Sequence, residues 1–304
     1  MLDAFLNSTV SMATPILLAA LGELLVERAG IINIGIEGAM LAGAFFGLAA
    51  AYFMGSLALG ILAAMGAAVA MNAILAVLVV NLAVNQVVAG TALDILAVGL
   101  TGVFYRQMFG ITGKAFMVRS MPRLALGPLA RLPIVGKPLF EQSALVYLAF
   151  AIVPVVAWVV GRTRYGLRLR AAGENPAAAD ALGLGVYALR WQALLASGVL
   201  SGLAGAFLTL AYANTFVENI TAGRGFVALA VVIVGRWNPW GLALASLLFG
   251  AAMALQFGLQ ALGTALPYQL FLALPYALTL VVLAGFGGGV DAPSALGEPY
   301  SRSS

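Results

Sequence analysis

The chain has 304 residues, 63% of them hydrophobic and only 9% charged, with 15 basic and 11 acidic side chains and a net charge of +4. Soluble domains carry about 25% charged residues, so this composition excludes a soluble protein. Cysteine and histidine are both absent, which removes disulfides, thiol redox chemistry, thiolate or imidazole metal sites and every nucleophile–histidine pair. The basic excess sits in loops at membrane edges and does not argue for nucleic acid.

The apolar runs are long and unbroken, where a transmembrane barrel would alternate over short segments. The predicted fold class is therefore all-α, a polytopic transmembrane bundle forming a single domain over 1–304. A helix needs about 20 apolar residues to cross the hydrocarbon, which gives about 8–10 spans here. The N-terminus, MLDAFLNSTVSMATP, lacks a basic n-region and a small-residue cleavage site, and it is read as retained. Spans are predicted near 11–26, 38–54, 57–80, 86–105, 143–161, 190–212, 240–260 and 267–287. Two further apolar segments, 29–37 and 225–235, are too short or too glycine-interrupted to span. Broken helices of that kind are tolerated at membrane depth where they line a cavity or are buried in protein.

An echo links two of these spans. Gly66-Ala-Ala-Val-Ala-Met-Asn72 resembles Gly250-Ala-Ala-Met-Ala-Leu-Gln256, and each follows a Leu-Ala-Leu, at 57–59 and 242–244. Repeats related by a pseudo-two-fold axis are common in transporters, so an internal repeat is a candidate feature of the fold.

Polar side chains at membrane depth cost several kcal/mol unless paired or facing water, so each is a functional candidate. Asp94 stands alone in an apolar span, with Asn85 and Gln86 near the start of the same span. The 27–38 stretch is the densest polar cluster near a membrane: Glu37 is expected to cap a helix or pair with Arg28, and Asn33 to bond a backbone group where the helix breaks. Asn33, Glu37, Asn85, Gln86 and Asp94 are thus the candidate substrate-path residues. Each also has a structural reading, as packing glue or as a satisfied kink. Trp237 and Trp240, flanking Pro239, read as an interfacial anchor.

The segment 162–189 is a polar, Arg-rich island. Asn175 is a good N-cap, Pro176 suits the first helical position, and Gly183 can end the helix in a left-handed conformation. A well-formed surface helix between two spans reads as a docking element, with Glu174, Asn175, Pro176, Ala178, Ala179, Asp180 and Gly183 as its candidate residues. Glu174 and Asp180 are expected to form ion pairs with the flanking arginines, and the small Ala178 and Ala179 to permit a close fit in a groove. Arg162, Arg164, Arg168 and Arg170 crowd one membrane edge, which argues that this loop is cytoplasmic. The other basic loop, 106–142, is separated from it by one span and is read as external. No P-loop is present: Gly110-Ile-Thr-Gly-Lys-Ala115 has the wrong spacing and no hydroxyl.

Four stretches in order carry a family resemblance. They are Glu27-Arg-Ala-Gly-Ile-Ile-Asn-Ile-Gly-Ile-Glu-Gly38, Asn85-Gln-Val-Val-Ala-Gly90, Gly166-Leu-Arg-Leu-Arg-Ala-Ala-Gly-Glu-Asn-Pro176 and Gly235-Arg-Trp-Asn-Pro-Trp-Gly241. Together they resemble permease subunits of bacterial ABC importers, in the branched-chain amino acid/ribose-type superfamily and its nucleoside and simple-sugar branch. The resemblance implies a multi-pass protein of the bacterial cytoplasmic (inner) membrane that is not itself an enzyme. It also implies cytoplasmic P-loop ATPase subunits, a second permease chain or a copy of this one, and an external substrate-binding protein, with no cofactor. The 175–183 helix then resembles the coupling helix that fits a groove on the ATPase. Asp94 departs from the pattern, which favours Asn there. Within the branch the resemblance leans towards nucleosides, whose ribose hydroxyls suit Asn85, Gln86 and Asp94. The alternatives are an ion-coupled secondary transporter working through Asp94 or Glu37, and a passive channel or scaffold.

Overall fold

The computed structural model describes residues 2–110, 116–125, 136–261 and 292–301, with scattered positions between 127 and 133 and between 269 and 284. In chain order its elements are α1 (Leu2–Arg28), α2 (Ile36–Met54), α3 (Leu57–Asn81), α4 (Gln86–Phe109), β1 (Arg123–Ala125), α5 (Gly136–Phe140), β2 (Glu141–Ser143), α6 (Ala144–Arg162), α7 (Arg164–Glu174), α8 (Pro176–Ala181), α9 (Val186–Tyr212), α10 (Arg224–Val234) and α11 (Pro239–Ala261). Among the described residues, seven helices are long and apolar enough to cross a membrane: α1, α2, α3, α4, α6, α9 and α11. The expected span at 267–287 lies largely outside the described residues. Helices dominate because lipid offers the backbone no hydrogen-bond partners, and a helix satisfies its own N–H and C=O groups.

Two boundaries differ from expectation. Helix α1 starts at Leu2 rather than near residue 11, because its first turns dock on the 106–142 segment through Asn7, whose Oδ1 accepts from Gln142 Nε2 at 2.6 Å. Helix α9 starts at Val186 rather than at residue 190, because Arg190 is buried inside the span instead of marking its edge. The 106–142 segment contributes a short antiparallel ribbon, with Arg123 opposite Ser143, Leu124 opposite Gln142 and Ala125 opposite Glu141.

Helices α1 and α9 form the centre. Helix α1 is buried almost throughout and packs most extensively on α11 and α9, while α9 packs most extensively on α3. Small residues make the contacts close: a Cβ on Gly202 of α9 would lie 2.6 Å from both Ala64 O and Met65 Cα of α3. Without a hydrophobic drive between helices in lipid, such backbone approach is a main source of association. Helices α4 and α6 present long exposed apolar faces, Ile95, Val98 and Val103 on the one and Val155 and Trp158 on the other.

The loops at 106–142 and 162–189 lie at opposite ends of α6. One end of the bundle gathers Asn7, the β1–β2 ribbon and Asn214; the other gathers Arg28, α7, α8, Trp237 and the tail at 292–300. An exposed ion pair at the first of these ends joins Arg106 Nε to Glu218 Oε1 at 3.1 Å.

Candidate functional site

The chain is non-helical between α1 and α2, over residues 29–35, and α10 is a helix of half a span. Both breaks leave backbone N–H groups free at membrane depth, where each needs a partner. Polar side chains supply them, Gln86 and Asp94 among those singled out in the sequence and Glu23 beside them. Gln86 Oε1 accepts from Ile32 N at 2.8 Å, Glu23 Oε1 accepts from Asn33 N at 2.8 Å, and Asp94 Oδ1 accepts from Gly38 N at 2.6 Å. Arg190 Nε donates to Ala29 O at 3.2 Å. A Cβ on Gly90 would lie 2.7 Å from Gly35 N, so α4 approaches the break through glycine on both sides.

Of the two alternatives for Glu37 the structure gives the cap and not the pair with Arg28: its two oxygens accept from Gly223 N at 2.8 Å and Gly225 N at 2.6 Å, at the first turn of α10. A carboxylate there neutralises the positive end of the helix dipole and satisfies two of its orphan donors. Arg28 instead donates from Nη2 to Trp237 O at 2.9 Å. Asn33 is fully buried; its Nδ2 reaches Asn72 Oδ1 at 3.5 Å, and Asn72 Nδ2 donates to Leu194 O of α9 at 2.9 Å. Asn85 is an exposed N-cap of α4, accepting from Val87 N and Val88 N.

Four of the five candidate path residues are therefore brought to the breaks, and Asn85 stands outside that group. They differ in what remains uncommitted. Glu37 has both oxygens engaged, whereas Asn33 Oδ1, Gln86 Nε2 and Asp94 Oδ2 are buried with no partner among the described residues. Glu23, Asn72 and Arg190 belong to the same network and were not singled out as site residues. Their signal was available for two of them, an acid and an amide inside predicted spans, whereas Arg190 stood at the predicted edge of its own. The tryptophan pair divides. Trp240 is 57% exposed as an anchor would be, but Trp237 is buried and its Nε1 donates to Glu27 Oε2.

At the other end of α6, the predicted surface helix is present as α8. Asn175 Oδ1 accepts from Ala178 N at 2.9 Å, Pro176 takes the first helical position, and Gly183 (φ +80°) follows the last turn with Leu184 N bonded to Ala179 O. A second surface helix, α7, precedes it. It was not predicted, although Thr163 caps it by accepting from Gly166 N at 3.1 Å. Ala178 is exposed, but Ala179 is buried at 3%. The helix face turned outward carries Ala177, Ala178, Ala181 and Leu182, the last of these 83% exposed. Ala179 thus packs inward and cannot meet a groove on another molecule. Glu174 bonds Ser294 in the tail, with Oγ to Oε2 at 2.8 Å, rather than a flanking arginine.

The two regions are joined. Gly30, at φ +85°, lies where a Cβ would come within 3.1 Å of Arg190 Nη2, 3.2 Å of Gly173 Cα and 3.3 Å of Ala295 O. Ala295 N donates to Gly173 O at 3.0 Å and Gly297 N donates to Gly30 O at 3.2 Å. The break, the end of α7 and the tail form one packed junction.

A multi-span bundle with a non-helical break and a half-length apolar helix held together by polar side chains, and a capped helix projecting from one end, has the features of a membrane transport subunit. The chain matches the family described as the branched-chain amino acid transport system permease component over residues 5–283, and it belongs to that family. It is 39% identical to the nucleoside ABC transporter permease protein NupC of Lactococcus lactis, over 96% of this chain and 94% of the relative. It is 34% identical to the guanosine ABC transporter permease protein NupQ of Bacillus subtilis, over 99% of this chain and 97% of the relative. A putative glucose ABC transporter permease protein of Haloferax volcanii is 35% identical, over 98% and 97%. No solved structure matches the chain significantly. As a permease component it is a multi-pass inner-membrane protein and one part of a larger transport system, not an enzyme.

Proposed function

We propose that the chain forms the translocation path of an ATP-driven importer for nucleosides, with the 162–189 loop in the cytoplasm and the 106–142 loop outside. Its partners in this reading are two cytoplasmic P-loop ATPase subunits, a second permease chain or a copy of itself, and an external substrate-binding protein. The substrate class rests on likeness to the nucleoside and guanosine permeases. The observation that carries the site is the set of uncommitted buried atoms, Asn33 Oδ1, Gln86 Nε2 and Asp94 Oδ2. One acceptor and one donor beside a carboxylate oxygen match the mixed donor–acceptor character of ribose hydroxyls. A site built to hydrogen-bond a hydroxyl also rejects analogues lacking it, because its own groups are then left unpaired. Glu37, with both oxygens on α10, acts by holding the two breaks together, and Asn85 by starting α4.

ATP coupling is assigned to α7 and α8. Glu174, Asn175, Pro176, Asp180 and Gly183 shape and orient the docking helix, while Ala178 and the exposed Leu182 supply its outward contact. Cells lacking only this protein are expected to lose uptake of labelled nucleosides. Normal nucleoside uptake with a selective failure on a sugar or an amino acid would overturn the substrate assignment. Purification of the tagged chain from its membrane is expected to recover a P-loop ATPase; recovery of the chain alone, still binding solute, would overturn the coupling assignment.

A further inference from the structure

We propose that the polar cavity at the 106–142 end of the bundle is a second solute site, which holds the ribose ring of a nucleoside before it reaches the breaks. The inference rests on the proposed function for its orientation and its solute class. The cavity measures 260 Å³, and its lining includes Asn7 and Ser11 of α1, Arg123 and Ser143 of the ribbon, and Tyr212 and Asn214 at and just past the end of α9. Hydrogen bonds fix this frame. Asn7 Oδ1 accepts from Gln142 Nε2 at 2.6 Å, Asn214 O from Val118 N at 3.0 Å and Leu210 O from Met121 N at 3.2 Å. The last turn of α9, Phe207–Tyr212, is wound as a π-helix, a form frequent at functional sites.

Two groups on this wall are unsatisfied. Ser143 is the N-cap of α6, where a serine hydroxyl ordinarily accepts from the first turn. It makes no such bond; the residue is only 7% exposed, and its Oγ is buried with no partner among the described residues. Asn214 Oδ1 is buried and unpartnered in the same way. The two select a chemistry. An amide oxygen needs a donor, whereas a serine hydroxyl can give or take. An anion would suit Arg123 and Ser143 but brings no proton to Asn214, while a sugar hydroxyl satisfies both. The volume falls just below the about 300–1,000 Å³ of pockets for drug-sized ligands, so a pentose ring fits inside and an attached base stays at the mouth. Tyr212, on the same lining, is 45% exposed, and its ring stacks on buried Phe207 with 6.4 Å between centroids. That supported ring offers a flat face to the base.

The chain contains no cysteine, so Ser11→Cys places a single thiol in the cavity wall of the full-length protein. The test measures how fast a small methanethiosulfonate reagent modifies that thiol in neutral detergent, with and without solute. Uridine at about ten times its half-protecting concentration leaves about one-eleventh of the cavities free and should slow modification about tenfold. Ribose should also protect, at higher concentration, whereas uracil and a dideoxy analogue of uridine should not. Adding Asn214→Gly, which accepts the φ of +57° without strain and keeps the backbone bond to Val118, should raise the half-protecting concentration about fivefold. Protection by uracil alone, or by ribose at lower concentration than uridine, would overturn the nucleoside assignment. Protection by none of the solutes would leave a cavity that holds only water and overturn the site. Uptake of labelled nucleosides by cells separates the two readings. Chain-dependent uptake with no protection of the thiol removes this site alone; ribose protection without such uptake removes the nucleoside reading and leaves a pentose site.

Discussion

Glu37 gives the sharpest test of how the broken helices are held. Its carboxylate is 6% exposed and accepts from two backbone donors of another helix, Gly223 N and Gly225 N. Glu37→Ala leaves both N–H groups buried without an acceptor, at about 1–3 kcal/mol each, or about 2–6 kcal/mol together. Glu37→Gln keeps one acceptor and turns an amide N–H₂ towards the other donor, so it should lose about half as much, with a further ~0.3–1 kcal/mol from the missing charge at the helix N-terminus. Nothing else can replace the carboxylate cheaply, because a Cβ on Gly225 would lie 2.7 Å from Glu37 Cα and the two helices have no room to re-pack. The assay is unfolding of the purified protein in mixed micelles by added dodecyl sulfate, followed by circular dichroism. The expected order of stability is wild type, then Gln, then Ala. A Glu37→Gln protein as stable as wild type but with altered solute affinity would refute the reasoning, since the carboxylate would then face solute instead of α10.

The helix contacts predict a contrast between two glycines. Gly202→Ala should destabilise by about 1–3 kcal/mol through overpacking against Ala64 and Met65, whereas Gly66→Ala, with nothing within 4 Å of its Cβ position, should stay within about 0.5 kcal/mol of wild type in the same unfolding assay. On the docking helix, Ala178→Glu should leave the protein monodisperse in detergent and abolish recovery of the ATPase. Ala179→Glu, which buries an unpaired charge, should instead fail to give folded protein at all, as read by size-exclusion chromatography. Trp237→Phe removes the donor to Glu27 and should destabilise by about 1–3 kcal/mol, with a blue-to-red change in emission confined to the loss of one buried tryptophan.

The bundle was legible because membrane spans depend on a composition signal that survives without any alignment: seven of the eight predicted spans needed no more than shifted ends, and the eighth lies largely outside the described residues. The capped helix α8 was legible for a local reason, since Asn175, Pro176 and Gly183 act on their own backbone neighbours. What a polar side chain bonds across the fold is not a local property. Asn33, Glu37, Gln86 and Asp94 declared themselves by their cost in lipid, but their partners lie 39 to 188 residues away in sequence, so the choice between a cap and a pair with Arg28 stayed open for Glu37 until α10 was seen to fold back onto α2. Ala179 illustrates the same limit at short range. In a helix of small residues no hydrophobic stripe distinguishes the inward face, and the outward contact falls to Leu182, which sits just past the last turn.

The placement of Gly30 joins the break and the surface helices in one packed junction. Energetic coupling between distant sites needs an element with two arrangements that both sites bias, and a regular transmembrane helix is a poor candidate because bending it breaks its own hydrogen bonds. The 29–35 segment has already exchanged those bonds for side-chain partners on α1, α4 and α9, through Glu23, Gln86 and Arg190. Re-pairing a side chain requires only rotation about its own torsions, whereas re-pairing helical backbone requires the helix to unwind. The end of α7 meets this segment at Gly173, with the tail residue Ala295 bonded to the same glycine, and α8 continues from α7 through the Asn175 cap. A displacement imposed on α8 therefore reaches the break before it reaches the middle of any span. Two of the side chains that would have to re-pair, Gln86 and Asn33, also keep a buried atom without a partner among the described residues. On the proposed function, the same few bonds would register a force from one side and a ligand from the other.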